Sequence, residues 1–491
     1  IIPAAAVAAE AGRRADGGRG TARQRILVVG GGIGGFNLAL RLAEMPWSEG
    51  RGPEILMVDP KDRFVFTPLL VDYAITGDVA LDEFAPRYEE LLQTSSRERG
   101  FIPGAGQAEL EHLQARVTKI NWRRRVATIQ GAGGEEQLLN FDVLVISPGL
   151  LVSGGSGLEI PDSVGSSVMR FASLEDAEQL RQRLDDNMAP ISAVAVVGAG
   201  YVGAEVAASL AELPREQRRP DEVTLFGTKL LAGSEPQNRE RTAKRLEGLG
   251  VVRKLGRVLS ISATGLEWQP SSPTTPQSGP QTASATSHHD CDLTIVTGAA
   301  AAPSAKCSLE PSPVARGDGP RARLPVDEFL RVAPGVFCLG DAALAASEAA
   351  TGQAAMQQAE IASWNIFAQC TGLPRPAWRK YAPNAMGEFI ALGSSDAAAV
   401  VAPVRLAKLL PPALPPAAAA VVAPLLATAT AAAAAGAEER LRREADELRA
   451  QLEVALSAAE DAKAAASAAA ASAVGARAAA PPGGLGATRP S

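Results

Sequence analysis

RILVVGGGIGGFNLALRLAE, Arg25 to Glu44, and AVAVVGAGYVGAEVAASLAE, Ala193 to Glu212, align without a gap 168 positions apart. Each reads as a buried strand, a glycine turn and a helix. The first has the apolar run Ile26 to Val29, the glycines Gly30, Gly32, Gly34 and Gly35, then Leu38, Ala39 and Leu42 at helical spacing. The second has Val194 to Val197, then Gly198, Gly200 and Gly203, then Val206, Ala207 and Leu210. One GxGxxG is weak, but two in strand, turn, helix context are specific. The first glycine allows the tight turn, the second lets backbone approach a pyrophosphate, and the third permits close helix–strand packing. The helix N-terminus then offers unpaired N–H groups to phosphate. These features predict an α/β chain with two Rossmann-like dinucleotide-binding domains.

The repeat also locates the residue that reads a ribose. EILMVD, Glu54 to Asp59, ends in a carboxylate 24 residues after Gly35, where a ribose diol is hydrogen-bonded. The second copy, EVTLFG, ends at Gly227 and is followed by Thr228 and Lys229. Without the carboxylate, repulsion toward a 2′-phosphate is lost, and the second site is expected to accept NADPH at least as well as NADH, with Lys229 beside it. The plainer reading of Lys229 is an ordinary exposed lysine.

Bulk properties narrow the function classes. The 491 residues suit two to three domains, and 46% hydrophobic residues suit a globular chain, although much of that is Ala and only 4% is aromatic. A formal charge of −6 with mixed signs argues against nucleic acid as a partner, because phosphate binding needs a basic face. Cys291, Cys307, Cys338 and Cys370 form no CxxC or CxxxxC pair, which removes a redox dithiol and a zinc knuckle. His112, His288 and His289 read as solvent or loop histidines, and no metal site is expected. Residues 1–24, rich in Ala, Gly and Arg, fit the end of an organelle transit peptide or a disordered leader.

Elsewhere the pattern is coarser. Val117 to Ile120 and Val126 to Ile129 read as a hairpin, Phe141 to Ile146 as a buried strand ending in Ser147, Pro148 and Gly149, and residues 269–289 as a polar Pro/Ser/Thr loop. Val336 to Leu339 is a short strand that delivers Gly340 and Asp341.

With these motifs the chain resembles a type II NAD(P)H:quinone dehydrogenase, from about Ile26 to Ala399 and most closely the plastid-type plant, algal and cyanobacterial branch. These are non-proton-pumping members of the two-dinucleotide-binding flavoprotein superfamily. The resemblance implies that Gly30, Gly32, Gly34, Gly35 and Asp59 hold FAD, that RFVFTPLL, beginning at Arg63, lies beside the flavin, and that Gly340 and Asp341 hold its ribityl and phosphate. Ser147 to Gly149 stands where the family has an Ala-Thr-Gly turn, a departure that keeps only Gly149. Gly198, Gly200 and Gly203, with Glu205 completing GxGxxGxE, would take NAD(P)H, and Glu205 would position the nicotinamide or share in proton uptake to the quinone. A structural acid capping neighbouring backbone is the alternative.

TGQAAMQQA, Thr351 to Ala359, is similar to the family's AQxAxQ helix under the flavin. Gln353 and Gln357 are four apart, so they share a helix face and are candidates for the quinone carbonyls. Two Gln on a helix otherwise read as a solvated face. KYAPNAMGEFIALGSSDAA, from Lys380, resembles the family's C-terminal strand pair, with Tyr381, Gly387, Leu392 and Gly393 in matching places, and APVRLAKLLPP, Ala402 to Pro412, a shortened membrane-docking segment.

The resulting organisation is a leader at 1–24, a first part of the FAD domain at 25–163, an inserted NAD(P)H domain at 164–296, and a second FAD part with the quinone-site helix at 297–372. A C-terminal membrane-associating region at 373–416 and an Ala-rich helical or disordered tail at 417–491 follow, the stretch Ala417 to Ala435 being too weakly apolar for a transmembrane helix. The chemistry implied is hydride transfer from NAD(P)H to FAD, then two electrons to a membrane quinone: plastoquinone, a phylloquinone-type naphthoquinone or ubiquinone. A peripheral place on a plastid membrane is expected ahead of the mitochondrial inner membrane, and a homodimer is a state the family adopts. The rival readings are a redox-sensing binding protein that has lost turnover, and an NAD(P)H oxidoreductase with a non-quinone acceptor.

Overall fold

The computed structural model describes residues 23–48, 50–98, 105–106, 108–149, 158, 162–185, 191–214, 220–271, 286–297, 308–310, 323–345, 351–384 and 387–401. All but residues 23 and 24 of the leader read at 1–24, the docking segment 402–412 and the tail 417–491 lie outside the described residues.

The first unit is built on strand β1, Arg25–Val29, which is buried along its whole length. It pairs in parallel with β2, Glu54–Asp59, on one side and β7, Val143–Ile146, on the other. Helix α1, Ile33–Ala43, follows β1, and β3, Glu109–Gln114, extends the sheet beyond β2. β16, Arg331–Ala333, and β17, Val336–Cys338, close the other edge, giving the order β16-β17-β7-β1-β2-β3. Between β3 and β7 the chain makes an antiparallel meander of β4, Arg116–Asn121, β5, Val126–Gln130, and β6, Glu136–Asn140, to which β15, Ser308–Glu310, adds in parallel beside β4. Val117 faces Ile129 there, as the hairpin reading of the sequence expects.

The second unit repeats this arrangement with unchanged register. β9, Ala193–Val197, is flanked in parallel by β10, Glu222–Gly227, and β14, Leu293–Thr297. Arg25 lies opposite Glu54 and Ala193 opposite Glu222, so the pairing is conserved at the same 168-residue offset as the sequence. Helix α3, Tyr201–Glu212, corresponds to α1, and α4, Pro236–Gly248, follows β10. β8, Val168–Phe171, edges the sheet ahead of helix α2, Leu174–Asp185. β11, Val252–Ser262, β12, Gly265–Pro270, and β13, Ser287–Asp290, form the other side, in the order β8-β14-β9-β10-β11-β12-β13.

The long α5, Gly352–Cys370, returns to pack on α1. A final antiparallel hairpin, β18, Gly387–Ala391, and β19, Ala397–Val401, packs not on α5's sheet but on α3 and α4 of the second unit. Its Ile390, Leu392 and Ala398 join one hydrophobic cluster with Val196, Leu210 and Leu246. The same cluster takes in Val65 to Ala85 from the first unit's sequence, including a π-helical turn at Asp72–Thr76. Both segments fall outside the 164–296 boundary assigned from sequence, since apolar burial rather than chain order decides where they pack.

Two of the three histidine readings need correction, His112 and His289, whereas His288 is a solvent-exposed histidine as read, although on a strand. His112 lies on β3, with its ring 4.4 Å from that of Tyr88. His288 and His289 lie on β13, because the stretch read as a loop at 269–289 begins and ends inside strands; His289 packs against Phe226 and meets Lys254 Nζ at 2.8 Å. Residues 272–285 lie outside the described residues, and among the described residues no helix is long and apolar enough to cross a membrane.

Candidate functional site

Three separate loops converge at the N-terminus of α1. Gly30 has φ +97°, and a side chain there would run into the Ser147 carbonyl. A Cβ on Gly35 would overlap the Gly30 carbonyl oxygen. A Cβ on Gly34 would sit 2.6 Å from Leu339 Cδ1 and 3.0 Å from Ser147 Oγ. Gly32, by contrast, faces open space, and it caps α1 with no side-chain hydrogen bond. Gly149 at φ +81° and Gly340 at φ +69° turn the other two loops. The result is a cradle of backbone without side chains around an uncapped helix N-terminus, the shape and polarity a pyrophosphate requires.

Asp59 ends β2 beside it. Its two carboxylate oxygens accept the Gly31 N–H at 2.7 Å and the Lys61 N–H at 2.9 Å. A carboxylate has about four acceptor positions, so a ribose diol can be held as well. Tyr88, fully buried, donates its hydroxyl to the Gly31 carbonyl at 2.8 Å and occupies the space a side chain at 31 would need. Burial, with Asp59 and Asp62 adding, pushes that phenol upward, so it stays a donor. Sequence reasoning missed Tyr88. The available signal was Gly31, a glycine at a position of the fingerprint that does not demand one. Asp341 is half-buried and its carboxyl is raised by that burial, against which Arg323 acts.

In the second unit Gly198, at φ +118°, packs on Thr297, and a Cβ on Gly203 would overlap the Gly198 carbonyl oxygen. Gly200 faces open space and again caps its helix without a side-chain bond. Gly227 lies against Ala199: a Cβ on it would be 2.5 Å from the Ala199 Cβ and 2.8 Å from the Ala199 nitrogen. The loop beyond it folds back through the Leu231 N–H onto the Ala199 carbonyl at 2.8 Å, with Lys229 exposed upon it.

Helix α5 connects the first cradle to the C-terminal hairpin. Thr351 caps it, accepting the Ala354 N–H at 3.1 Å. Gln358 lies on the buried stripe with Ala354, Ala355, Ala359 and Ala362, and its Oε1 accepts the Gly340 N–H at 2.7 Å. It is the second residue sequence reasoning missed, although a glutamine on an alanine stripe was the sign of it. Gln353 and Gln357 do share a face. Gln353 donates to the Gly387 carbonyl at 3.2 Å, and Gln357 donates to the Asn384 carbonyl at 2.8 Å while accepting the Asn384 N–H at 3.1 Å. They are therefore seated against the segment leading into β18 rather than free in solvent. Arg63 donates to Asp82 at 2.6 Å and to the Ala85 carbonyl at 2.9 Å, which fastens the RFVFTPLL stretch to the short helix at 81–84.

Glu205 sits one turn into α3, and its Oε1 accepts the Ala391 N–H from β18 at 3.3 Å. Burial raises its carboxyl to about 8, the Asp72 charge adding and the Ala391 N–H opposing. Among the described residues the thiols hold no comparable position: burial pushes Cys370 up to about 12, Cys338 higher still and Cys291 upward.

The sequence profile of the pyridine nucleotide-disulphide oxidoreductases matches residues 24–363. The chain is similar to the demethylphylloquinone reductase NdbB of Synechocystis sp., 31% identical over 388 residues covering 77% of this chain and 86% of that protein. It is also similar to the alternative NAD(P)H-ubiquinone oxidoreductase C1, chloroplastic/mitochondrial, of Arabidopsis thaliana, 29% identical with 77% of this chain and 72% of that protein covered. Among solved structures, NDH2 from Plasmodium falciparum in complex with NADH shares the fold, with a TM-score of 0.62 at 17% identity over 78% of this chain and 90% of that one.

Proposed function

Because the chain belongs to the pyridine nucleotide-disulphide oxidoreductase family and, within it, to the type II NAD(P)H:quinone oxidoreductases, we propose that it oxidises NAD(P)H and reduces a quinone at a membrane surface. The observation that carries this is the pair of uncapped, glycine-cradled helix N-termini in identical register, one joined through Gly340 and Gln358 to α5. Bound FAD supplies the redox chemistry, taking a hydride from NAD(P)H and passing two electrons on. Gly30, Gly32, Gly34, Gly35, Gly149 and Gly340 would hold its pyrophosphate end, and Asp59 its ribose. Gly198, Gly200 and Gly203 would hold NAD(P)H, whose 2′-phosphate meets no carboxylate at Gly227 and finds Lys229 nearby. Glu205 positions the nicotinamide side and holds a proton at its carboxyl. Gln353 and Gln357 form the polar face toward the quinone, either by releasing Gly387 and Asn384 or with their remaining amide groups.

The name of the cyanobacterial relative supports a phylloquinone-type naphthoquinone as acceptor and that of the plant relative supports ubiquinone; plastoquinone as a further acceptor, and a peripheral place on a plastid membrane ahead of a mitochondrial one, belong to the same proposal. A homodimer belongs to the same reading. The test is stopped-flow mixing of FAD-loaded protein with NADH or NADPH, then with a short-chain naphthoquinone or plastoquinone. Fast bleaching and quinone-dependent reoxidation are expected. Bleaching without reoxidation by any quinone would point to another acceptor, and no bleaching would favour a binding protein.

A further inference from the structure

The first two residues of β18 are held from opposite sides. Toward α5, the Gly387 carbonyl accepts an amide N–H of Gln353 at 3.2 Å. Toward the second unit, one carboxylate oxygen of Glu388, Oε2, accepts three donors: the Ser234 hydroxyl at 2.5 Å, the Glu235 N–H at 3.1 Å and the Asn238 amide at 3.1 Å. Glu235 stands at the start of α4 with no side-chain cap of its own, so Glu388 closes that helix from a distant strand and meets the positive end of its dipole. The Tyr201 hydroxyl bonds to the same carboxylate. Gly387 has φ +118°, a conformation open to glycine, which lets the chain give its carbonyl to one unit and the next side chain to the other.

The partners of Glu388 border the second nucleotide cradle. Tyr201 is the first helical residue of α3 after Gly200 and is 38% exposed at that open helix start. Ser234 ends the loop that leaves β10 at Gly227 and carries Lys229. Two backbone bonds shape this loop, Leu231 N–H to the Ala199 carbonyl at 2.8 Å and Ser234 N–H to the Leu231 carbonyl at 3.0 Å. Leu231 itself has φ +46°, a left-handed conformation that costs a side-chain-bearing residue energy and persists only where its surroundings hold it. Other contacts fasten the hairpin farther from the cradle: Arg241 meets Asp396 at 2.9 Å, and Glu212 accepts the Ser394 N–H at 2.5 Å. Glu388 is the anchor that reaches the loop.

We propose that Glu388 is a positioning residue for both substrates: it holds Tyr201 and the loop 227–235 in the place that receives NAD(P)H and, through the peptide it shares with Gly387, fixes the Gln353 amide toward the quinone. The proposal rests on the quinone-reduction reading. At the nucleotide end, a loop strained at Leu231 and released from Glu388 must be ordered again when the dinucleotide binds, and that ordering is subtracted from affinity. At the quinone end, Gln353 spends one amide N–H on Gly387, which leaves its second N–H for a quinone carbonyl and its Oε1 for a quinol hydroxyl. A shift of Gly387 turns the amide and loses that orientation. Glu388 touches neither substrate, yet two half-reactions that use different ends of the site depend on its one carboxylate.

The experiment reads each half-reaction by itself in FAD-loaded protein by stopped flow: the NADPH concentration that gives half-maximal bleaching, and the short-chain naphthoquinone concentration that gives half-maximal reoxidation. Glu388→Ala should raise the first about tenfold and the second at least about threefold while flavin content is retained. Glu388→Gln, which keeps an acceptor oxygen at the same reach, should restore most of both. Gln353→Ala should raise only the quinone value, and adding Glu388→Ala to it should raise that value no further, because the two act on quinone through one contact. An unchanged NADPH value or an unchanged quinone value in Glu388→Ala would overturn the proposal, as would quinone effects that multiply in the double variant. If Glu388→Ala does not fold, Ser234→Ala removes the shortest bond to the carboxylate instead, with both values rising as the expected result and stationary values the contrary one. A wild type that bleaches but reduces no quinone would overturn the quinone half together with the quinone reading, while the NADPH value still decides whether Glu388 holds the nucleotide loop.

Discussion

At the first fingerprint Gly31 gives its N–H to the Asp59 carboxylate, and Tyr88 fills the space beside it. At the second, 168 residues on, Ala199 and Gly227 stand in the same two places, with the Ala199 methyl lying where a side chain at 227 would begin. Strand register, turn and helix start are otherwise the same. A small residue has changed sides of the contact, and a carboxylate has vanished with it. The lesson is that the two positions are exchanged as a pair: alanine at 31 meets the Tyr88 hydroxyl, and aspartate at 227 meets Ala199. One scaffold thereby ends β2 in an acid and β10 in none.

The comparison breaks most sharply at the third glycines. Gly35→Ala forces a methyl into the Gly30 carbonyl at a cost of about 3 kcal/mol and should yield protein without FAD. Gly203→Ala does the same at Gly198, yet should retain flavin absorbance while losing bleaching by NAD(P)H. Flavin spectra of the two purified variants check this, and loss of FAD from both would mean that the units are not separable.

Next comes the exchanged pair itself. Asp59→Ala removes a charge-assisted bond to Gly31 and should weaken FAD binding by about 1.5–3 kcal/mol, read by fluorescence titration. Gly227→Asp alone should impair binding of both nucleotides through the clash with Ala199, whereas Ala199→Gly with Gly227→Asp should bind NADH at least about tenfold better than NADPH, a difference of about 1.4 kcal/mol. Unaltered preference in the double variant would remove Gly227 from the account of specificity.

A smaller difference is thermal. Only the second fingerprint carries a buried acid with a raised carboxyl, from 4.5 to about 8 at Glu205. Such a group binds its proton more tightly folded than unfolded, so its contribution is full below about 4.5 and is lost as pH climbs to about 8. Glu205→Gln should flatten that fall, leaving the variant's melting temperature a few degrees less sensitive to pH, about 1–2 kcal/mol in calorimetry. The least effect is expected at Lys229: exposed, it should raise the KM for NADPH several-fold at most when changed to Ala, about 1 kcal/mol, and a wild-type preference for NADH above tenfold would leave it without a role.

Much of this was legible in local pattern. The two strand, turn, helix units, Gly340 after a short strand and the strand pair after Lys380 are set by residues near one another in sequence, where periodicity and glycine requirements act directly. What escaped were partnerships across the chain. Tyr88 reaches back 57 residues to Gly31, and Gln358 reaches 18 to Gly340. The seats of Gln353 and Gln357 depend on where Asn384 and Gly387 pass, which no helical spacing reveals. His112 looked free because nothing near it in sequence announces Tyr88.

One cluster of the second unit draws on Val65 to Ala85, on its own sheet, and on Ile390, Leu392 and Ala398. A chain emerging from the ribosome therefore holds Val65, Leu69, Leu70, Phe84 and their neighbours without a place to bury them until Leu293 and Ile295 have been made, and without a complete cover until the hairpin follows. Closing such long loops before they repay their entropy slows folding and leaves apolar surface open to aggregation. Truncation before residue 387 should thus leave a sticky intermediate that leans on chaperones, so strands made late in the chain close a core begun early in it.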